Sequence, residues 1–290
     1  MFYGSIVALI TPFTHSGLDE SALVKLVHHH LQNKTNGIVP VGTTGEAPTL
    51  TDQEFKRVIE IVVHEVGGEI PVIAGAGSND TARAIKYAEI AASAGADAVL
   101  HVMGYYNRPQ QEGIYQHFKA LNDTTRLPIV AYNVPPRTII DILPETMGRI
   151  AALENIVGVK DATCDISRPI REKLLISKDF CFLSGEDPTA VAYNAQGGQG
   201  CISVTANIAP ALCSELQLAC RKNNFARALE IQTLLMPLHR SLFFEPSPAG
   251  VKYASSLLSL NHSLCRLPIV ELSDETKSTI TVAMENLGLI

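Results

Sequence analysis

The run Ile156-Val157-Gly158-Val159-Lys160 ends an apolar, β-branched stretch in a lysine. At the end of a buried strand an amine is desolvated. Burial disfavours the ammonium, and the free base is a nucleophile able to condense with a carbonyl. The position also suits an ion pair with Asp161 or Glu186, and position by itself does not choose between the two. Schiff-base chemistry needs a proton relay within hydrogen-bonding reach of the amine, and two segments offer one. Tyr132 lies near the end of the run Pro128 to Asn133. Thr43 and Thr44 occupy the glycine-flanked turn Gly42-Thr43-Thr44-Gly45-Glu46, where exposed backbone N–H groups suit a carboxylate. Taken singly, Tyr132 reads as a core ring with a satisfied hydroxyl; the company of a lysine and a threonine turn gives it a catalytic reading. Arg137 follows Pro135 and Pro136, which stiffen its loop. Its guanidinium is either a surface charge or a bidentate fork for a carboxylate, and a fixed fork loses less entropy on binding.

These residues need a scaffold that gathers strand ends. Eight short apolar runs recur: Ile6 to Thr11, Gly37 to Val41, Pro71 to Ala76, Ala98 to Met103, Pro128 to Asn133, Ile156 to Lys160, Cys181 to Gly185 and Gly200 to Val204. Between them lie amphipathic stretches such as Ser21 to Gln32, Phe55 to Val66 and Thr81 to Ala94, the second introduced by the capping-box pattern Thr51-Asp52-Gln53-Glu54. Strands this uniformly apolar are covered on both faces, as parallel sheets with crossover helices require. Eight βα units fit a closed (β/α)8 TIM barrel better than an open doubly wound sheet. After Ile208 the strand signals stop, and Ala211 to Arg221, Phe225 to Leu238, Val251 to Leu258 and Glu275 to Leu287 read as helix. The expected division is a catalytic barrel over 1–223 and a C-terminal helical extension over 224–290. In such barrels active groups come from the C-terminal ends of strands, where all the residues named above fall.

The chain has 290 residues, of which 46% are hydrophobic and 18% charged, enough apolar material for a large core and too much for disorder. Its 23 basic and 29 acidic residues leave a net charge of -6, so no global field would hold a nucleic acid. No basic n-region opens the chain and no apolar stretch approaches a membrane span, so a cytoplasmic protein without a membrane partner is expected. The six cysteines occur singly, without metal-site or disulfide spacing.

Four segments in order, Gly42-Thr43-Thr44-Gly45-Glu46, Tyr105-Tyr106-Asn107-Arg108-Pro109, Tyr132-Asn133-Val134-Pro135-Pro136-Arg137-Thr138 and Gly158-Val159-Lys160-Asp161-Ala162-Thr163, resemble the class I pyruvate-dependent aldolase and lyase family. The resemblance runs from Met1 to Ile290. It implies a (β/α)8 barrel with a helical extension, assembled as a homotetramer of two tight dimers. It further implies that Lys160 forms a Schiff base with pyruvate, that Tyr132 donates and accepts protons, and that Thr43 links Tyr132 to Tyr106, which reaches into a partner's site. Thr44 and Ile202 match positions that contact pyruvate, and Gly185 lies beside them. Arg137 matches the arginine that gathers the carboxylate of L-aspartate 4-semialdehyde; sister lyases acting on sialic acid or keto-deoxy sugar acids usually lack it. No metal or cofactor is required, because the cationic imine is the electron sink.

Two stretches depart from the family. Ser247-Pro248-Ala249-Gly250-Val251-Lys252 stands where an Asn-Pro-x-Pro-Val-Lys run is common, and Phe55 and Arg83 stand where lysine-inhibited members carry a histidine and a glutamate. An arginine repels the ammonium of lysine, so weak or absent inhibition is expected, although Asn79 and Tyr105 remain compatible with such a site. A non-catalytic regulatory or carbohydrate-binding scaffold is the alternative from another class. Other signals carry less. His28-His29-His30 cannot converge on one ion, since consecutive helical residues point about 100° apart. Gly75-Ala76-Gly77-Ser78-Asn79-Asp80 lacks the third glycine of a dinucleotide fingerprint.

Overall fold

The computed structural model describes residues 2–290. Eight parallel strands alternate with helices: β1 (Gly4–Ala8), β2 (Gly37–Val39), β3 (Ile73–Gly75), β4 (Ala98–Val102), β5 (Ile129–Asn133), β6 (Ile156–Asp161), β7 (Cys181–Ser184) and β8 (Gly200–Ser203). Each pairs with its sequence neighbours, β8 pairs with β1, and a bridge from Ile38 to Val72 joins β2 to β3, so the sheet closes on itself. All eight expected strands are present. The sixth ends one residue later than expected, at Asp161, which leaves Lys160 second from its end.

Burial explains the uniform apolarity of these strands. All five residues of β1 and of β5 are buried, because the barrel interior takes one face and the surrounding helices take the other. Those helices are α1 (Glu20–Gln32), α2 (Asp52–Val66), α3 (Thr81–Ser93), α4 (Gln111–Thr124), α5 (Pro144–Ala151), α6 (Arg168–Lys173), α7 (Ala190–Ala195) and α8 (Pro210–Arg221). Their starts are written locally. The Asp19 side chain accepts from the Ala22 N–H at 3.0 Å, and Thr51 and Glu54 close the expected capping box at the head of α2. A short hairpin, Phe13–Thr14 with Gly17–Leu18, follows β1 and had no counterpart in the strand pattern.

The extension contains α9 (Phe225–Ser241), α10 (Ala249–Leu257) and α11 (Asp274–Asn286). Lys222, Asn223 and Asn224 separate α8 from α9, and α9 packs on both α8 and α11. Ile231, Leu235, Leu238, Val251, Ile280 and Met284 are fully buried in one core with the barrel helices; burying an aliphatic side chain of this size contributes about 1.5–3 kcal/mol. At Gly250 a Cβ would stand 2.5 Å from the Leu242 carbonyl oxygen, so the start of α10 rests on the end of α9 only because this position lacks a side chain. Among the described residues no helix is long and apolar enough to cross a membrane. Cys181, Cys201, Cys213 and Cys220 are buried free thiols; Cys164 is exposed and Cys265 partly so.

Candidate active site

The strand ends converge as the βα pattern requires. Tyr132 on β5 and Lys160 on β6 are registered partners across the parallel ladder, so their side chains leave the sheet on the same face. Lys160 is only 5% exposed, and its Nζ lies 4.2 Å from the centre of the Tyr132 ring. Among the described residues the buried ion pairs belong to Arg168 and Lys252, and Lys160 has no carboxylate partner there. A Cβ at Gly185 would approach Lys160 Cε to 3.1 Å and Ala162 Cβ to 2.9 Å; the glycine leaves room for the lysine stem.

A cavity of about 360 Å³ opens here, lined by Lys160, Tyr132, Thr43, Thr44, Arg137 and Thr138 at one end and by Phe55, Arg83, Tyr87 and Tyr105 at the other. Its charged lining residues are Arg83, Arg137 and Lys160, with no carboxylate among the described residues. Low-dielectric walls with one sign of charge focus anions. Close to these cations, burial and the neighbouring Asp187 charge hold the Glu186 carboxyl above the usual carboxylate range, against the smaller opposing pull of Lys160 and Arg137.

The threonine turn is shaped by its own backbone. Gly45 N–H donates to the Gly42 carbonyl at 3.1 Å, Glu46 N–H to the Thr43 carbonyl at 3.2 Å and Ala47 N–H to the Gly42 carbonyl at 3.2 Å. The N–H groups of Thr43 and Thr44 are left without an acceptor among the described residues, two adjacent donors at a cavity wall. The turn reaches this position over Gly75, where a Cβ would stand 2.6 Å from the Val41 carbonyl oxygen.

The Arg137 loop is braced from below. Pro135–Thr138 makes a single helical turn closed by the Ile139 N–H to the Pro135 carbonyl at 2.8 Å, and the Thr138 hydroxyl donates to the Val134 and Ile140 carbonyls. Asn133, the last residue of β5, donates to Asp141 at 2.7 Å and accepts from Ile142 N–H at 3.1 Å. Buried Arg168 grips the Asp141 carboxylate and donates to the Ile142 carbonyl at 2.9 Å. The Arg137 side chain is itself exposed at the cavity rim.

Not every anticipated residue lies in the cavity. Ile202 is fully buried on β8 and Gly185 lies behind Lys160, and neither is among the lining residues. Tyr106 is 90% exposed, outside the cavity, with a left-handed backbone of φ 70°. Conversely, Tyr87, Ser78 and Thr138 line the cavity without having been singled out. Tyr87 carried a readable signal, since it follows Arg83 by one helical turn on α3. The three consecutive histidines part ways: His28 Nε2 meets Glu65 at 2.8 Å, while His30 is buried against Thr35 with its pKa lowered by desolvation to about 3.

Residues 1–287 match the model of the dihydrodipicolinate synthetase family. The chain is 54% identical over 290 residues to the 4-hydroxy-tetrahydrodipicolinate synthase of Parvibaculum lavamentivorans and 52% identical over 290 residues to that of Roseobacter denitrificans, with 100% of each chain covered in both comparisons. Among solved structures it is similar to the chloride-inhibited dihydrodipicolinate synthase of Acinetobacter baumannii complexed with pyruvate, at 40% identity, TM-score 0.97 and full coverage of both chains. The dihydrodipicolinate synthase of Thermotoga maritima gives 39% identity, TM-score 0.98 and the same coverage.

Proposed function

Since the chain belongs to the dihydrodipicolinate synthetase family, we propose that it condenses pyruvate with L-aspartate 4-semialdehyde to give 4-hydroxy-tetrahydrodipicolinate, with Lys160 as the Schiff-base lysine. The observation that carries this reading is the buried Lys160 amine 4.2 Å from the Tyr132 ring, at the wall of a cavity whose charged lining is cationic.

The Lys160 amine attacks C2 of pyruvate, and the carbinolamine loses water to leave a cationic imine. Tyr132 moves the protons of this step and then takes one from the pyruvate methyl group, giving an enamine. The enamine carbon attacks the aldehyde carbon of the second substrate, whose oxygen takes up a proton. The semialdehyde's own amine then adds to C2 and displaces Lys160, which closes the ring and regenerates the free enzyme. Thr44, with the paired N–H groups of the turn, receives the pyruvate carboxylate, Gly185 leaves room for the Lys160 stem, and Thr43 joins Tyr132 to the proton path. Arg137 takes the carboxylate of the semialdehyde by a bidentate fork. The exposure of Tyr106 fits a residue that completes the site of a second copy, in a homotetramer built from tight dimers.

Borohydride reduction in the presence of labelled pyruvate is expected to fix one label per chain on Lys160; an unlabelled protein would point to a scaffold without catalysis. A coupled assay offering aspartate semialdehyde and N-acetylneuraminate is expected to show turnover of the first. Preference for the sugar acid would overturn the synthase reading.

A further inference from the structure

Glu46 stands at the foot of the threonine turn with a left-handed backbone, φ 55°, and Val41 on the turn's other side has φ 49°. A residue with a Cβ is disfavoured in this region by about 1–2 kcal/mol, so the surroundings must hold both in place. For Glu46 the holding groups come from the far end of the chain. Its carboxylate is sealed from solvent and both oxygens are used: Oε1 accepts from Lys252 Nζ at 2.6 Å and Oε2 from the Arg266 N–H at 2.8 Å. Both donors belong to the helical extension.

Lys252, on α10, is fully buried. Its Nζ lies 4.3 Å from the centre of the Phe13 ring, and the Arg266 guanidinium lies 4.1 Å from the same ring. Arg266 also donates to the Thr49 carbonyl at 2.8 Å and pairs with Glu54. The extension thus holds the segment from Glu46 to Glu54 at both ends. Burial pushes the Lys252 ammonium pKa down, and the facing carboxylate raises it. Desolvation offsets most of the Coulombic gain of such a pair, so buried ion pairs are weak sources of net stability and are better attested as devices that specify one geometry.

The geometry within reach of this pair is that of the site. The Glu46 N–H closes the turn onto the Thr43 carbonyl, and the Thr11 hydroxyl donates to the Gly45 carbonyl at 2.7 Å. A shift at Glu46 therefore moves Thr43 and Thr44 against the cavity. We propose that Lys252 is a positioning residue for the pyruvate end of the site: by pairing with Glu46 it fixes the turn whose two unengaged N–H groups face the ligand. The inference rests on the pyruvate reading above and assigns to the extension a part in substrate binding.

The test compares wild type with Lys252→Met, Glu46→Gln and the double variant, measuring KM for each substrate, kcat, borohydride trapping of pyruvate and thermal unfolding. Each single change is expected to raise KM for pyruvate about tenfold while KM for the semialdehyde stays within about twofold. The double variant should be no worse than the worse single one, because the two residues act as a unit. Glu46→Gln keeps the side-chain shape and gives the same readout if Lys252→Met does not fold. A lowered unfolding temperature with unchanged pyruvate KM in the folded variants would overturn the inference alone. A wild-type protein that yields no pyruvate adduct would overturn both this inference and the reading beneath it.

Discussion

Lys160 and Tyr132 are cross-strand partners whose side chains meet face-on, the amine over the phenol ring at 4.2 Å. Register forces this pairing. Side chains alternate along a strand with period two, so a slip of one residue between β5 and β6 would send one of the two to the helix-facing side of the sheet. The amine and the phenol are therefore placed by the packing of β5 and β6 in the barrel rather than by a loop.

Removing the Tyr132 hydroxyl should separate proton transfer from placement. Tyr132→Phe keeps the ring against the amine, so pyruvate should still be trapped on Lys160 at equilibrium, but more slowly, and turnover should fall by about 10²–10⁴-fold, the usual range for a lost acid–base group. Lys160→Ala should give no adduct at all. Stopped-flow or quenched trapping against time checks both; a Tyr132→Phe enzyme that forms its adduct at the wild-type rate would remove the phenol from the proposed proton path.

Arg137 stands on a loop held by Asn133 and Arg168, at the cavity rim rather than beside the amine. Arg137→Ala should accordingly spare the first half-reaction and damage the second. Pyruvate trapping is expected within about twofold of wild type, and kcat/KM for the semialdehyde should drop by about 10²-fold, the loss of a charge-assisted pair worth roughly 1.5–3 kcal/mol. Equal damage to both half-reactions in steady-state and trapping measurements would contradict this division of labour.

Much of this arrangement was legible in the chain, for identifiable reasons. Strands buried on both faces are apolar throughout, so β1 to β8 stood out, and residues at their ends fell together because the barrel fold gathers them. Thr51 and Glu54 announced α2 because a capping box is written within four residues. What stayed hidden was non-local or two-sided. Lys252 and Glu46 are 206 positions apart, and nothing near either residue names the other. Phe13–Thr14 and Gly17–Leu18 are too short for any period to show. Whether Lys160 pairs with Asp161 or faces a ring depends on the next strand over, which no local pattern reports.

Beside β6 lies a second buried cluster with a consequence for pH. Glu172 is 1% exposed; desolvation, reinforced by nearby Asp161, raises its pKa from 4.5 to about 8, even though Arg168 lies 3.2 Å away and pulls the other way. Asp141 also engages that guanidinium, and Glu172 Oε2 has no partner among the described residues. Below pH 4.5 the group is protonated folded or unfolded and contributes no pH dependence. Between 4.5 and about 8 the unfolded chain releases the proton that the folded protein keeps, so this group lowers stability as pH rises across that window. Glu172→Gln removes the contribution. Urea unfolding should show a variant whose advantage over wild type grows from pH 5 to pH 8, reaching on the order of a few kcal/mol. A constant difference across that range would show that Glu172 titrates outside it.

The far end of the cavity bears on inhibition by lysine. Phe55 and Tyr87 stack there with ring centres 4.6 Å apart, and Arg83 lines the same end without an ion-pair partner among the described residues. An amino-acid ligand brings an ammonium as well as a carboxylate. The arginine repels the first, and the apolar Phe55 edge offers it no acceptor, which leaves the charge desolvated and unpaired. Activity should therefore change little on titration with L-lysine up to roughly millimolar concentration, where binding of even −4 kcal/mol would already be visible. Replacing the two residues together, Phe55→His with Arg83→Glu, supplies an acceptor and reverses the local charge. The double variant should gain lysine inhibition, measured as a fall in the half-inhibitory concentration of at least about tenfold, while its trapping of pyruvate on Lys160 stays at the wild-type level. Half-inhibition of the unmodified enzyme at sub-millimolar lysine would show that the arginine does not control this end of the cavity.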